Sequence, residues 1–204
     1  LLTGSHSRDD KYAKFARKEE KGRAEFTEEL LDMVSHLYNS PSIVMWVIFN
    51  EGWGQFSALE VADRLRAMDP TRPIDHASGW HDQGGGDLKS RHVYYRPVRL
   101  KNDGRRVLAL TEFGGYSLQC PGHLATDKKF GYRMYDDAAA WMDAVEKLYE
   151  TEVLPLIQAQ GLSAAVYTQL SDVEDEVNGL VTFDRRMCKM DPARMRKINE
   201  KLHF

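Results

Sequence analysis

The stretch Ser42-Ile-Val-Met-Trp-Val-Ile-Phe-Asn50-Glu51 decides how this chain is read. From Ser42 to Phe49 it is β-branched and aromatic without polar alternation, which predicts a strand buried on both faces, as in a parallel sheet. Just upstream, residues 24–38 place Phe26, Leu30, Val34 and Leu37 at steps of three and four, the period of an amphipathic helix. Pro41 blocks its continuation. The result is a helix followed by a strand, and the strand delivers a carboxylate, Glu51, at the rim where parallel folds keep their active sites.

The same alternation continues along the chain. Ser57-Ala-Leu-Glu60 predicts a capping box at the start of a second helix, whose apolar face is Val61, Leu65 and Met68 and whose end is Asp69-Pro70. A short strand over 72–77 follows, then a Gly84-Gly-Gly86 loop read as flexible pocket rim, a strand-like Val93-Tyr94-Tyr95, and a strand Val107 to Phe113 that carries Glu112 near its end. A Gly-rich polar loop is expected over 114–133. A long helix is expected over 136–160, kinked at Pro155 and capped by Gly161, then a buried strand over 162–170 and a closing helix over 192–202. Strands and helices taking turns predict an α/β fold with parallel strands and outer helices. Five strands, near residues 43, 73, 92, 108 and 164, leave two architectures open: an open sheet, or the C-terminal five-eighths of a (β/α)8 barrel, which needs about eight strands.

Composition narrows the function. The chain has 204 residues, 42% hydrophobic and 29% charged, as expected of a single globular domain spanning 1–204. A net charge of -3 gives no electrostatic footprint for nucleic acid. The longest apolar run, Ile43 to Phe49, falls far short of the roughly 20 residues of a membrane span. Residues 1–10 carry neither an initiator Met nor the sections of a signal peptide, which reads as an internal piece of a longer chain whose compartment is not legible. Cys120 and Cys188 are too few for a disulfide framework and lack metal-ligand spacing, so both are expected as free thiols.

Two carboxylates at two strand ends suit glycoside cleavage, which needs one protonated group to assist the leaving oxygen and one ionised group to attack or to activate water. The apolar Gly52-Trp53 beside Glu51 suits the acid, and exposed amides at Gly114-Gly115 would suit an ionised Glu112. A metal centre is not expected. Asp75-His76, His81-Asp82 and Asp87 with His92 lack the spacing that sets ligands on one face. Gly84-Gly-Gly86 is not followed by a helix that would complete a phosphate cradle. No cofactor is called for.

Ser42 to Gln55, containing Asn50-Glu51-Gly52-Trp53, closely resembles the acid/base strand of family 2 glycoside hydrolases, the β-galactosidase, β-glucuronidase and β-mannosidase group. Thr111-Glu112-Phe113-Gly114-Gly115 resembles their nucleophile strand. Tyr167-Thr-Gln-Leu-Ser-Asp-Val-Glu174 and Asn178-Gly-Leu-Val-Thr-Phe-Asp-Arg185 resemble the last barrel strand and the segment after it. The motifs run in family order from about residue 24 to 190.

The resemblance implies a partial TIM barrel and a retaining β-glycosidase with Glu51 as acid/base, Glu112 as nucleophile and Asn50 donating to the sugar 2-hydroxyl. His92 and Tyr94 match the family's His-x-Tyr and are expected to contact sugar hydroxyls, with Trp53 and Trp80 as stacking platforms for the sugar's apolar face. Where family glucuronidases carry Asn-x-Lys, this chain reads Glu174-Asp-Glu-Val-Asn178, which favours a neutral sugar, β-galactoside first. The family's N-terminal barrel units and β-sandwich domains are expected to be missing. An open edge of parallel strands would then predict pairing with a second copy. Two other readings stay open: an inactive carbohydrate-binding or assembly piece, and a metal-dependent α/β hydrolase.

Overall fold

The computed structural model describes residues 7–128 and 130–204, so the N-terminal stretch read above lies outside it as far as residue 6. The chain divides into two compact units, Leu1–Arg91 with Asp103–Ala109, and His92–Asn102 with Leu110–Phe204. The elements are α1 (Glu20–Leu37), β1 (Trp46–Val47), α2 (Ala58–Met68), β2 (Ile74–Asp75), β3 (Leu88–Val93) and β4 (Val107–Gly114). These are followed by β5 (Tyr116–Leu118), β6 (Arg133–Tyr135), α3 (Ala138–Leu148), α4 (Leu154–Gln160), β7 (Leu162–Thr168) and α5 (Pro192–Asn199). β1 pairs with β2, β5 with β6, and β3, β4 and β7 form a three-stranded sheet in that order. Among the described residues these sheets do not join into a closed ring.

In the first unit the expected helix-and-strand pair is present. Leu30 and Val34 of α1 are buried against Trp46, Ile48 and Phe49, with Phe26 stacked on Phe49 at 5.1 Å. The strand is shorter than expected and only partly covered. Trp46 and Ile48 are buried under the helices, while Val44 and Val47 are exposed. Its parallel ladder nevertheless runs on past β1. Ile48 N donates to Asp75 O (3.0 Å), Ser78 N to Phe49 O (2.7 Å) and Glu51 N to Ser78 O (2.9 Å). The backbone of Glu51 is thereby held by the sheet.

The capping box is not formed. Ser57 sits at φ 37, in the left-handed region, and makes no side-chain cap bond. The N-terminus of α2 is held from far along the chain instead: Asp9 Oδ2 accepts from Ala58 N at 2.9 Å and from Gln55 Nε2 at 3.0 Å. A helix macrodipole favours a carboxylate there as readily as a local hydroxyl, and spacing within the helix carries no trace of it. Gly84-Gly-Gly86 also departs from the expectation of a flexible rim. A Cβ on Gly85 would lie 2.5 Å from Leu59, and one on Gly86 would lie 2.9 Å from the Ile74 carbonyl, so this loop is packed against α2 and β2.

Asp69 ends α2 as expected, and it does more. Fully buried, it accepts from Trp46 Nε1 (2.8 Å), Arg72 Nη1 (2.6 Å) and Thr71 Oγ1 (2.6 Å). Burial alone would raise its carboxyl, but the hydrogen bonds from Thr71, Trp46 and Arg72 outweigh it and hold the group well below the usual carboxylate range. A depressed carboxyl contributes stability that is present above the unfolded value of about 3.9 and is lost as pH falls toward the folded value. Asp69→Asn is therefore expected to lower the urea midpoint at neutral pH, and its deficit relative to wild type to shrink as pH falls below about 4.

In the second unit, Phe113 and Trp141 are fully buried, and Phe113 stands edge-on to Tyr149 (5.4 Å) and Tyr167 (5.6 Å). The loop expected over 114–133 contains β5 and leads into β6. Each is only three residues long, too short for a hydrophobic alternation to mark it in the sequence. The long helix is interrupted, as Pro155 requires. A π-helical turn at Tyr149–Val153 precedes α4, because proline offers no N–H to an α-helical ladder. Gly161 closes it at φ 66. β7, expected to be buried, is an edge strand with Val166 exposed.

Candidate active site

Glu51 and Glu112 sit on different units and are built differently. After the β1 ladder ends, Trp53 N donates to Asn50 O (3.0 Å), closing a turn whose two central residues, Glu51 and Gly52, have φ 53 and φ 75. Positive φ at both positions is the signature of a primed turn. For a glutamate it is a strained backbone, of the kind that collects at functional sites. Gly52 is required there. A Cβ would lie 2.4 Å from the His81 ring. The turn presents Asn50 on the surface and Glu51 half-buried, with Trp53 78% exposed and Trp80 half-buried.

Glu112 lies on β4 and is held by residues of β3 and the turn after it. The Tyr94 hydroxyl donates to Glu112 Oε2, and His92 Nδ1 lies 3.2 Å from the same oxygen. His92 is buried, so its ring is fixed by packing as well as by this contact. Burial, reinforced by the bond to Glu112, pushes the Tyr94 phenol far above its ordinary value, so it remains a donor at any pH the protein meets. Thr168 Oγ1 sits 3.0 Å from the same hydroxyl. Both contacts gather on Oε2, and among the described residues no donor reaches Glu112 Oε1.

Gly114 and Gly115 are needed for close approach rather than for free amides. A Cβ on Gly114 would lie 2.3 Å from the Tyr167 ring, and one on Gly115 2.3 Å from the Tyr132 ring. Both glycines are buried, and Gly115 N donates to Thr168 O at 3.0 Å. The expectation that exposed amides attend Glu112 is thus replaced by a phenol and an imidazole from β3 and its turn.

Of the residues singled out in the sequence, the second unit brings Glu112, His92 and Tyr94 into contact, and the first unit sets Asn50, Glu51 and Trp53 on one turn with Trp80 on the loop after β2. Tyr132 was missed. It stacks face to face on Tyr94 at 3.8 Å, and its only sequence signal is the aromatic pair flanking glycine in Phe130-Gly-Tyr132. Thr168 and Gln169 are read in the sequence only as part of the last-strand motif, and Glu176 and Asn178 only as part of the stretch that disfavours a uronate. Gln169 Nε2 donates to Asn178 Oδ1 (2.7 Å), and both amides reach Glu176 Oε2 at 3.2 Å. Of the residues weighed as metal ligands, Asp82 pairs with Arg106 at 2.7 Å and lies 3.3 Å from His76 Nε2, Asp87 pairs with Arg66, and His92 lies on Glu112.

Residues 4–195 match the family described as glycosyl hydrolases family 2, TIM barrel domain, which makes the α/β succession that of a TIM barrel. A search of curated proteins returned no match. No helix among the described residues is long and apolar enough to cross a membrane.

Proposed function

The chain belongs to glycosyl hydrolase family 2, with a glycosidase-type function and a carbohydrate substrate, and from that premise we propose that it is a retaining β-glycosidase with Glu112 as nucleophile and Glu51 as acid/base. The observation that carries this reading is the dressing of one Glu112 oxygen by Tyr94 and His92, which leaves Oε1 to attack. Glu112 Oε1 forms a bond to the anomeric carbon as the bond to the leaving oxygen breaks, and Glu51 delivers its proton to that oxygen. In the second step Glu51 takes a proton from water, the water oxygen bonds to the anomeric carbon, and the carbon–Glu112 bond breaks. Asn50 donates from its amide to the 2-hydroxyl, a bond that strengthens as positive charge develops on the ring.

Glu174, Asp175 and Glu176 disfavour a uronate by charge, so the substrate is a neutral β-glycoside, β-galactoside first. Turnover of nitrophenyl β-glycosides by this chain tests the reading. Hydrolysis with retention at the anomeric centre is expected, and inversion would overturn it. Tyr94→Phe is expected to lower kcat by about 10- to 100-fold with KM little changed, the pattern of a contact that matters most in the transition state. An unchanged kcat would show that Tyr94 merely packs.

A further inference from the structure

Beyond Tyr94, an aromatic path leads outward from Glu112 through residues that the hydrolytic chemistry does not use. Tyr94 bonds to it, Tyr132 lies flat on Tyr94, and Tyr95 and Phe130 stand edge-on to Tyr132 at 5.0 and 5.7 Å. Tyr95 is 69% exposed and Phe130 43%. Clustered exposed aromatics on a protein surface mark a binding site, whereas scattered ones do not.

Polar groups border this path on one side. Phe130 forms a parallel bridge to Glu176, its N donating to Asp175 O (2.6 Å) and its O accepting from Val177 N (3.2 Å). Glu176 is in turn fixed by the amides of Gln169 and Asn178. A carboxylate clamped by two amides is pre-set to accept hydroxyl hydrogens. Beside it the aromatic faces suit the C–H side of a pyranose. An apolar face with a few oriented polar groups at its edge is how proteins hold a sugar ring.

We propose that Tyr95, Tyr132 and Phe130, with Glu176 at their edge, form a subsite for a second, neutral sugar ring adjoining the one attacked at Glu112. This rests on the glycosidase reading and names its substrate class: β-linked di- or oligosaccharides rather than simple alkyl glycosides. The carboxylate at the edge selects against an acidic sugar at that position.

The test compares kcat/KM for a β-linked disaccharide with that for the methyl β-glycoside of the same sugar, in wild type and in the Tyr95→Ala, Phe130→Ala and Glu176→Gln variants. The preference for the disaccharide is expected to fall by about tenfold in each variant, the scale of one stacking or hydrogen-bonding contact. A preference that stays put, or a loss shared equally by both substrates, overturns the subsite. If wild type hydrolyses neither substrate, the glycosidase reading fails, and the subsite is judged by calorimetric titration of the disaccharide. Binding weakened about tenfold by Tyr95→Ala supports it, and absent or unaltered binding overturns it.

Discussion

Hydrolysis by the Glu112→Gln variant is expected to fall by about 10⁴-fold, a rise in barrier of about 5.5 kcal/mol at about 1.36 kcal/mol per decade. The amide keeps an acceptor for the Tyr94 hydroxyl, so the packing of Tyr94, Tyr132 and Thr168 survives and the loss is chemical. On the proposed mechanism what disappears is the nucleophile, and with it the covalent intermediate that divides one difficult displacement into two easier ones. Added azide separates the two glutamates. With Glu112→Gly it is expected to attack in place of the missing carboxylate and give the inverted α-glycosyl azide. With Glu51→Gly it is expected to capture the intermediate and give the β-azide.

The largest effect on stability is expected away from this chemistry, at Lys189. Its ammonium is fully buried and donates to Asp172 Oδ1 (2.6 Å), Leu118 O (2.8 Å) and Val177 O (3.0 Å). Asp172 Oδ1 also accepts from Gly179 N at 2.8 Å. One cation thereby ties β5 to the turn that carries Glu176 and Asn178. Lys189→Met leaves a buried carboxylate without its counter-charge and is expected to cost about 3–5 kcal/mol, read from urea unfolding. Pairing it with Asp172→Leu removes the orphaned charge and should recover part of that loss. A double variant no better than Lys189→Met would show that the two carbonyls, rather than the ion pair, need the lysine.

The elements that carry the glutamates were legible because their signals are local. Val107 to Phe113 was expected as a strand and is one, and the helix face of Phe26, Leu30 and Val34 packs as its spacing requires. The signals that failed depend on partners distant in sequence. Asp9 caps α2 in place of Ser57, and β5 and β6 are too short to announce themselves. Val47 and Val166 look like core residues in the sequence, but each is left exposed on its strand. The same division runs through the candidate site. Glu51, Glu112, His92 and Tyr94 stand at strand ends or on motifs that can be read directly, whereas Tyr132 and the Gln169, Glu176 and Asn178 cluster come together only once the chain has folded.

The proposed nucleophile can be tested by covalent labelling. Incubation with a 2-deoxy-2-fluoro-β-glycosyl fluoride, which slows release of the glycosyl-enzyme, followed by tryptic mass mapping, is expected to place the added sugar on Glu112 within the peptide spanning 107–128. A label on Glu51 or on another carboxylate, or no label on an enzyme that hydrolyses the parent glycoside, would contradict the assignment.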